Sequence, residues 1–198
     1  MKRPLFVLSI LMALFLLSQP VRAGVPMDTV RNNVSQVLDV LNDPKLKAES
    51  AKEIKKEKLR LVYGHMFDEV ELAKRSLARN WNAMNASQRQ EFVQLFRQVL
   101  EKAYIDKILA YTNEKIVYDR ESAISENMTE VQTRIVTSSK EIPIAYRLIL
   151  KDGTWKVYDV FVENVSLVLN YRTQFNDILA KNTSEQLIEI LRKKVKGQ

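Results

Sequence analysis

The order of hydrophobic patterns along the 198-residue chain predicts an α+β fold: helices, then a four-stranded antiparallel sheet, then helices again. Two observations predict it. Apolar residues recur at helical spacing over residues 30–108 and then alternate with polar residues over 115–163. A helical period returns after Ser166. Several helices are therefore expected to pack on one face of the sheet.

Capping signals predict where the helices begin and end. Asp43-Pro44 should end an opening helix that contains Val30 to Leu41, and a charged helix should follow over residues 45–62. Three polar residues each stand three positions before a Glu or Gln, which is the spacing of a capping box; they are Asp68, Ser87 and Thr183. The helix that follows Ser87 is long and has an apolar stripe.

Four strand candidates follow, and each alternates with a period of two. They are Lys115 to Asp119, residues 131–137, residues 142–150, and the segment that begins TWKVYDVFVE at Thr154. The third of them should have one apolar face, formed by Ile142, Ile144, Tyr146, Leu148 and Leu150. Asp152-Gly153 is typical of a hairpin turn and should join the last two strands.

The first 23 residues are typical of a secretory signal peptide. Lys2 and Arg3 precede an apolar core of 13 residues, Leu5 to Leu17, and Val21-Arg22-Ala23 fits a cleavage site. The core is shorter than the roughly 20 residues that a transmembrane helix needs, so an uncleaved anchor is the less favoured alternative. We expect an exported chain with one domain over residues 24–198.

Composition excludes several classes of site. The chain has no cysteine and a single histidine, His65, which argues against thiol catalysis and multi-histidine metal sites. No catalytic triad is apparent, although His65 near Asp68 keeps an enzyme as a rival. Removing the signal would lower the net charge from +7 by three, to +4. The lysines suit solvated helix faces or a surface attracted to acidic groups, and nucleic acid is not expected as a partner.

One segment resembles a known family signature. WKVYDVFVENVSLVLNYRTQF, from Trp155 to Phe175, is similar to the W-x-V-Y-D-V-x-V-E-G-V-S-L and N-Y-R-x-Q-F motifs of MlaC-type periplasmic phospholipid carriers, also called the toluene-tolerance family. A second family run is matched upstream, at Leu77, Trp81, Gln88, Arg89, Phe92, Phe96, Leu100 and Tyr104. Ala78 and Asn164 stand where the family has glycine. If position 164 needs a positive φ, asparagine tolerates it best.

The resemblance implies a periplasmic, monomeric phospholipid carrier without catalytic activity. Such proteins move glycerophospholipids between an outer-membrane complex of a lipoprotein and a porin and an inner-membrane ABC transporter with an MCE-type binding subunit, which maintains the lipid asymmetry of the outer membrane. The resemblance implies no cofactor, only bound phospholipid as cargo. A periplasmic chaperone or lipoprotein carrier with an apolar cleft stays the alternative.

The resemblance implies an apolar lipid cavity between the sheet and the helices packed on its one face, which holds the acyl chains of the cargo, with the head group in solvent at the mouth. The expected lining residues are Phe92, Phe96, Val99, Tyr104, Tyr146, Leu148, Val160, Val162, Val165, Leu169, Tyr171 and Phe175. Each of these taken singly also suits an ordinary packed core. Arg172 is expected either to bind a phosphate or to pair with Asp159 or Glu163.

Overall fold

A computed structural model describes residues 25–112 and 114–198, so the predicted signal peptide lies outside the described residues. Within these ranges the helices are α1 (Val25–Asn42), α2 (Lys52–Met66), α3 (Glu69–Leu77), α4 (Ala86–Leu109), α5 (Leu167–Leu179) and α6 (Ser184–Lys196). The strands are β1 (Lys115–Ser125), β2 (Met128–Val136), β3 (Glu141–Lys151), β4 (Thr154–Val162) and β5 (Val165–Ser166). Short 3-10 turns span Pro44–Leu46, Glu49–Ala51 and Ala78–Ala83. The α+β class is confirmed.

Two of the predicted helix caps are confirmed. The Asp68 carboxylate accepts a hydrogen bond from the backbone N–H of Glu71 at 2.9 Å, at the start of α3. Thr183 and Gln186 form a reciprocal capping box before α6. α1 ends at Asn42, just before Pro44, as predicted.

Two other helix starts were predicted wrongly. α4 is capped by Asn85 with Gln88 rather than by Ser87 with Gln90, because the reciprocal box forms two residues earlier. The charged helix begins at Lys52 rather than at residue 45, since Pro44 opens a 3-10 turn and a second one follows before α2.

The sheet has five strands within the described residues, in the order β1-β2-β3-β4-β5, and every neighbouring pair is antiparallel. The prediction of four strands was wrong because β5 has only two residues, too few to show alternation. β1 also continues past Asp119 to Ser125. The register places Tyr146 between Val131 and Val160, so the predicted apolar face of β3 continues onto both neighbours.

The opposite face of the sheet is polar. Arg134 on β2 donates to Asp119 on β1 at 2.8 Å and to Glu141 on β3 at 2.6 Å. Arg147 on β3 donates to Glu130 on β2 at 3.0 Å. Ionic side chains of this kind belong on a solvated face, which leaves the Tyr146 face as the inner face of the sheet.

Buried apolar residues form two clusters instead of one. The helical cluster joins α3, α4, α5 and α6, and the sheet cluster joins α1 and the end of α2 to the inner face of the sheet. Phe67 packs against both clusters, and the backbone N–H of Asp68 donates to the carbonyl of Val157 at 2.9 Å. The segment between α2 and α3 therefore joins the two halves of the domain at the edge of β4.

Over residues 25–112 and 114–198, every helix is too short or too polar to cross a bilayer.

Candidate functional site

The inner face of the sheet is an apolar surface that α1 covers in part. Val30 and Val34 of α1 belong to the same buried cluster as Val131 of β2, Leu148 of β3 and Val157 of β4. These five side chains are all 8 % exposed or less. Because only α1 and the end of α2 among the described helices contribute buried side chains to this cluster, the cover is complete only at the centre of the face.

Towards the corner between β4 and α5 the apolar surface is exposed to solvent. Val162 is 41 % exposed, its cross-strand partner Val165 is 58 % exposed, and Leu169 in the first turn of α5 is 52 % exposed. We call these three residues the corner patch. Next to Val162 on the same face, Val160 and its partner Tyr146 are only partly buried. The apolar face thus runs from a buried centre to an exposed rim.

A tight turn brings Val162 and Val165 of the corner patch together. Glu163 (φ 49°) and Asn164 (φ 66°) both have positive φ between Val162 and Val165, which is typical of a two-residue type I′ hairpin turn. The expectation that Asn164 replaces a glycine at a positive φ is confirmed. Directly paired residues of antiparallel strands lie on one face, so Val165 lies beside Val162 on the inner side.

Asp159 holds the corner in place. Its carboxylate is 4 % exposed and accepts hydrogen bonds from Ser166 Oγ at 2.6 Å and from the backbone N–H of Val168 at 3.0 Å. Ser166 Oγ in turn accepts from the backbone N–H of Leu169 at 3.0 Å, so it caps α5. Backbone and polar groups therefore fix the position of the corner patch without burying its apolar side chains.

The hydroxyls of the two inner-face tyrosines, Tyr146 and Tyr118, stay protonated at physiological pH. Burial raises the pKa of Tyr146 to about 12, Tyr118 nearby adds to this, and a hydrogen bond with Thr133 acts the other way. Burial also raises the pKa of Tyr118, while Arg31, whose guanidinium lies 5.0 Å from the Tyr118 ring centre, opposes it. These hydroxyls can edge an apolar surface but are not poised for acid–base catalysis.

Five of the predicted lining residues lie in the helical cluster. Phe96 packs edge-on against Tyr171 and Phe175, with ring centres 4.9 and 5.1 Å apart, and Phe92 meets Phe175 at 5.2 Å. Val99 is buried with them. Aromatic rings at these distances and angles form a filled core. Tyr104 packs against the outside of the same cluster.

The other predicted lining residues lie on the sheet and its corner. Leu148 is at the buried centre of the inner face, Tyr146 and Val160 are partly buried beside it, and Val162, Val165 and Leu169 form the exposed rim. The residues that were predicted to line one site therefore lie in two separate places, the helical cluster and the sheet with its corner. Its role in binding stays a prediction.

The sequence analysis did not predict two parts of this apolar surface. Val30 and Val34 on α1 lie over the sheet, and Ile116 and Tyr118 extend its face onto β1. The signals were present as a helical i, i+4 valine pair and a short alternation at the start of β1.

Two surface pockets of the described residues lie elsewhere. One, of ≈ 320 Å³, is lined by residues of α2 and α4 with the preceding 3-10 turns, and the other, of ≈ 340 Å³, lies by the β3–β4 hairpin. Neither is lined by a predicted lipid-binding residue, and the enclosed cavity stays a prediction.

The predicted ion pair of Arg172 with Asp159 or Glu163 was wrong, because Arg172 Nε donates to the Arg75 carbonyl at 2.9 Å. Among the described residues, no group of His, Cys, Asp and Glu has the arrangement of a metal site.

The fold and this surface define a class: a small α+β domain with a helical core beside a sheet whose apolar face is incompletely covered. Residues 31–193 match the model of the MlaC protein family. The match covers most of the chain, and the chain therefore belongs to the MlaC family.

Two curated relatives agree with this assignment. The chain is 27 % identical over 113 residues to the intermembrane phospholipid transport system binding protein MlaC of Haemophilus influenzae, a match that covers 54 % of this chain and 53 % of that protein. It is 25 % identical over 167 residues to the toluene tolerance protein ttg2D of Pseudomonas putida, which covers 83 % and 78 % of the two chains. The first match thus spans about half of that relative's length.

A solved structure has the same fold. The phospholipid-binding protein from Ralstonia solanacearum, determined in complex with a phospholipid, superimposes with a TM-score of 0.76 at 20 % sequence identity. The superposition covers 87 % of this chain and 97 % of the other.

Proposed function

We propose that this protein binds phospholipid through its acyl chains, on the inner face of the sheet, and carries it through the periplasm. The observation that supports this most directly is the apolar face that runs from the buried Leu148 to the exposed corner patch. The family assignment adds to it, and so does the solved structure of a phospholipid-binding protein with the same fold in complex with a phospholipid.

The energetics of lipid transfer favour an apolar surface over a polar site. Each methylene moved from bilayer to water costs about 0.8 kcal/mol, so two acyl chains with about 30 methylenes cost on the order of 25 kcal/mol. A single polar contact contributes about 1 kcal/mol net and cannot offset that loss. A carrier therefore needs extended apolar contact, and the acyl chains are proposed to reach it by displacing α1 from the sheet.

The exposed rim suits the entrance to such a site. Val162 and Val165 would contact the parts of the chains nearest the head group, while Tyr146 and Val160 would contact parts further in. The phosphate and its substituents would stay in solvent, so the carrier would accept several head groups. No energy source is proposed for the carrier itself, and direction would come from its partners.

Those partners follow from the family and are part of the proposal. We propose exchange with an outer-membrane complex of a lipoprotein and a porin on one side, and with an ABC transporter that has an MCE-type subunit on the other. Such exchange would help to keep phospholipid out of the outer leaflet of the outer membrane.

The test is the lipid content of the protein after purification from a Gram-negative periplasm. Native mass spectrometry followed by organic extraction should find phospholipid at near-stoichiometric level. Val162→Glu should lower that level at least about tenfold, because the added carboxylate would lose hydration where methylenes are proposed to lie. Leu148→Glu is less useful: Leu148 is 0 % exposed, so a charge there would also unfold the sheet.

A matched control is Val70→Glu in the first turn of α3. Val70 is also exposed, and a carboxylate is favourable near a helix N-terminus, so lipid content should stay as in the wild type. A wild-type protein that carries no phospholipid, and takes none up from vesicles, would refute the carrier function. Co-purification of an acylated protein instead would favour the lipoprotein-carrier alternative.

A further inference from the structure

One helix face outside the candidate site combines exposed apolar residues with a concentration of positive charge. Ile54 and Leu61 of α2 are 55 % and 59 % exposed. They stand seven residues apart, which places them on one face of the helix two turns apart, and the exposed Lys58 lies between them. Neither residue belongs to either buried cluster.

The net charge of the protein is concentrated in this segment. Residues 44–62 contain seven basic and three acidic side chains, a net charge of +4. The whole chain has +7, of which three basic residues precede residue 25, so residues 25–198 also have +4. The rest of residues 25–198 therefore has equal numbers of basic and acidic side chains, and the net positive charge of these residues lies in this one segment.

The acidic residues of the segment are already paired. Glu49 lies 3.2 Å from Lys52, Glu53 lies 2.8 Å from Lys56, and Glu57 lies 2.8 Å from Arg60. Lys45, Lys47 and Lys55 have no carboxylate within 4.0 Å among the residues that the structure describes. Lys45 and Lys47 are exposed and Lys55 is half-buried, and all three lack the carboxylate partner that Lys58 has in Asp43 at 3.6 Å.

We propose that this segment docks the protein reversibly on an anionic lipid surface. It presents Ile54, Lys58 and Leu61 on one face of α2, and Lys47 and Lys55 at a shared pocket beside it; we call these five residues the basic face. Exposed aliphatic side chains flanked by lysines suit the boundary between head groups and acyl chains, where the lysine stems extend and their ammonium groups stay among the head groups. A protein partner is less favoured, since lysine is depleted in protein–protein interfaces. This inference goes beyond the cargo function, because it concerns the approach to a bilayer.

The experiment is co-sedimentation of the full mature chain with phosphatidylcholine vesicles, with and without phosphatidylglycerol. The wild type should bind the anionic vesicles, and binding should weaken as ionic strength rises. Lys47→Gln/Lys55→Gln should weaken binding about tenfold or more, because each lysine near an anionic surface contributes about fivefold. Ile54→Ser/Leu61→Ser should also weaken it, since it removes the apolar contact.

Two controls match these changes in charge and exposure. Lys193→Gln/Lys194→Gln on α6 and Val70→Ser/Ile190→Ser replace exposed side chains outside the basic face and should bind as the wild type does. The phospholipid content of every variant, read by native mass spectrometry, should be unchanged, which separates docking from carriage. Failure of the wild type to bind anionic vesicles, including a preference for acidic proteins alone, would overturn the proposal. Wild-type binding by the α2 variants would overturn it as well.

Discussion

The helical cluster and the inner face of the sheet are built from similar apolar residues, but they differ in how completely these residues are buried. Phe92 and Phe96 are 0 % and 1 % exposed, enclosed by side chains from four helices, whereas Val162 on the sheet keeps 41 % of its surface in water. The difference lies in the number of covering elements, because α1 and the end of α2 are the helices that contribute to the buried cluster on the sheet. Apolar periodicity alone thus produces either a filled core or a partly open face, and only the second presents apolar surface to a ligand at its rim before α1 is displaced.

The largest expected effect is on stability at the helical cluster. Phe96→Ala should lower the free energy of unfolding by about 3–5 kcal/mol, because it removes a ring that packs against Tyr171, Phe175 and Phe92 and leaves a cavity. Equilibrium unfolding in urea measures this loss.

The matched change on the open face is Val162→Ser. It should cost about 0.5 kcal/mol or less, because a side chain that is 41 % exposed has little packing to lose. Equal losses at the two positions would contradict the contrast between a filled and an open region.

A smaller effect is expected at the corner that joins the two regions. Asp159→Ala should lower the free energy of unfolding by about 2 kcal/mol, since Ser166 Oγ and the Val168 N–H would lose a buried acceptor. Thermal and urea unfolding would report it. Asp177→Ala, at an exposed position of α5, is the control and should change stability by less than about 0.5 kcal/mol. A loss no greater than in this control would mean that Asp159 does not hold the corner.

Apart from the near-neutral Val162→Ser and the controls, the smallest effect is a gain in stability in the helical region. Ala78 follows α3 with φ 49° and ψ −122°, a conformation that suits glycine and strains a residue with a Cβ. Ala78→Gly should therefore raise the free energy of unfolding by about 1 kcal/mol. Ala180→Gly, where φ is −66°, should instead lower it slightly, because glycine only adds disorder to the unfolded chain there. If Ala78→Gly instead lowered the free energy of unfolding, the backbone at position 78 would not be strained.

Much of the fold could be predicted because local rules decide it. The N-cap at Asp68, the capping box at Thr183 and the turn at Asp152-Gly153 depend on residues close in sequence, and each is found in place, although Glu71 does not return the bond to the Asp68 N–H. At α4, Asn85 with Gln88 and Ser87 with Gln90 satisfy the same spacing rule, and sequence does not rank them. The two-residue β5 is too short to leave a periodic signal.

The candidate site was less predictable because burial depends on distant elements. The alternation of β4 correctly placed Val160 and Val162 on one face, but it could not reveal that α1 leaves the end of this face exposed. The spacing of Phe92 and Phe96 likewise gave a helix face, and it was the contacts with α5 and α6 that made this face a closed core. Sequence periodicity identifies which side chains share a face, and tertiary packing decides what that face meets.

The most direct test of the account is where bound acyl chains lie. NMR of the methyl-labelled protein, loaded with a phospholipid that carries a spin label on its acyl chain, would measure paramagnetic broadening at each site. The account predicts strong broadening at Val160, Val162 and Val165, with little at Val99 and Leu187 in the helical cluster. Broadening centred on Val99 and Leu187, with the sheet valines unaffected, would contradict it.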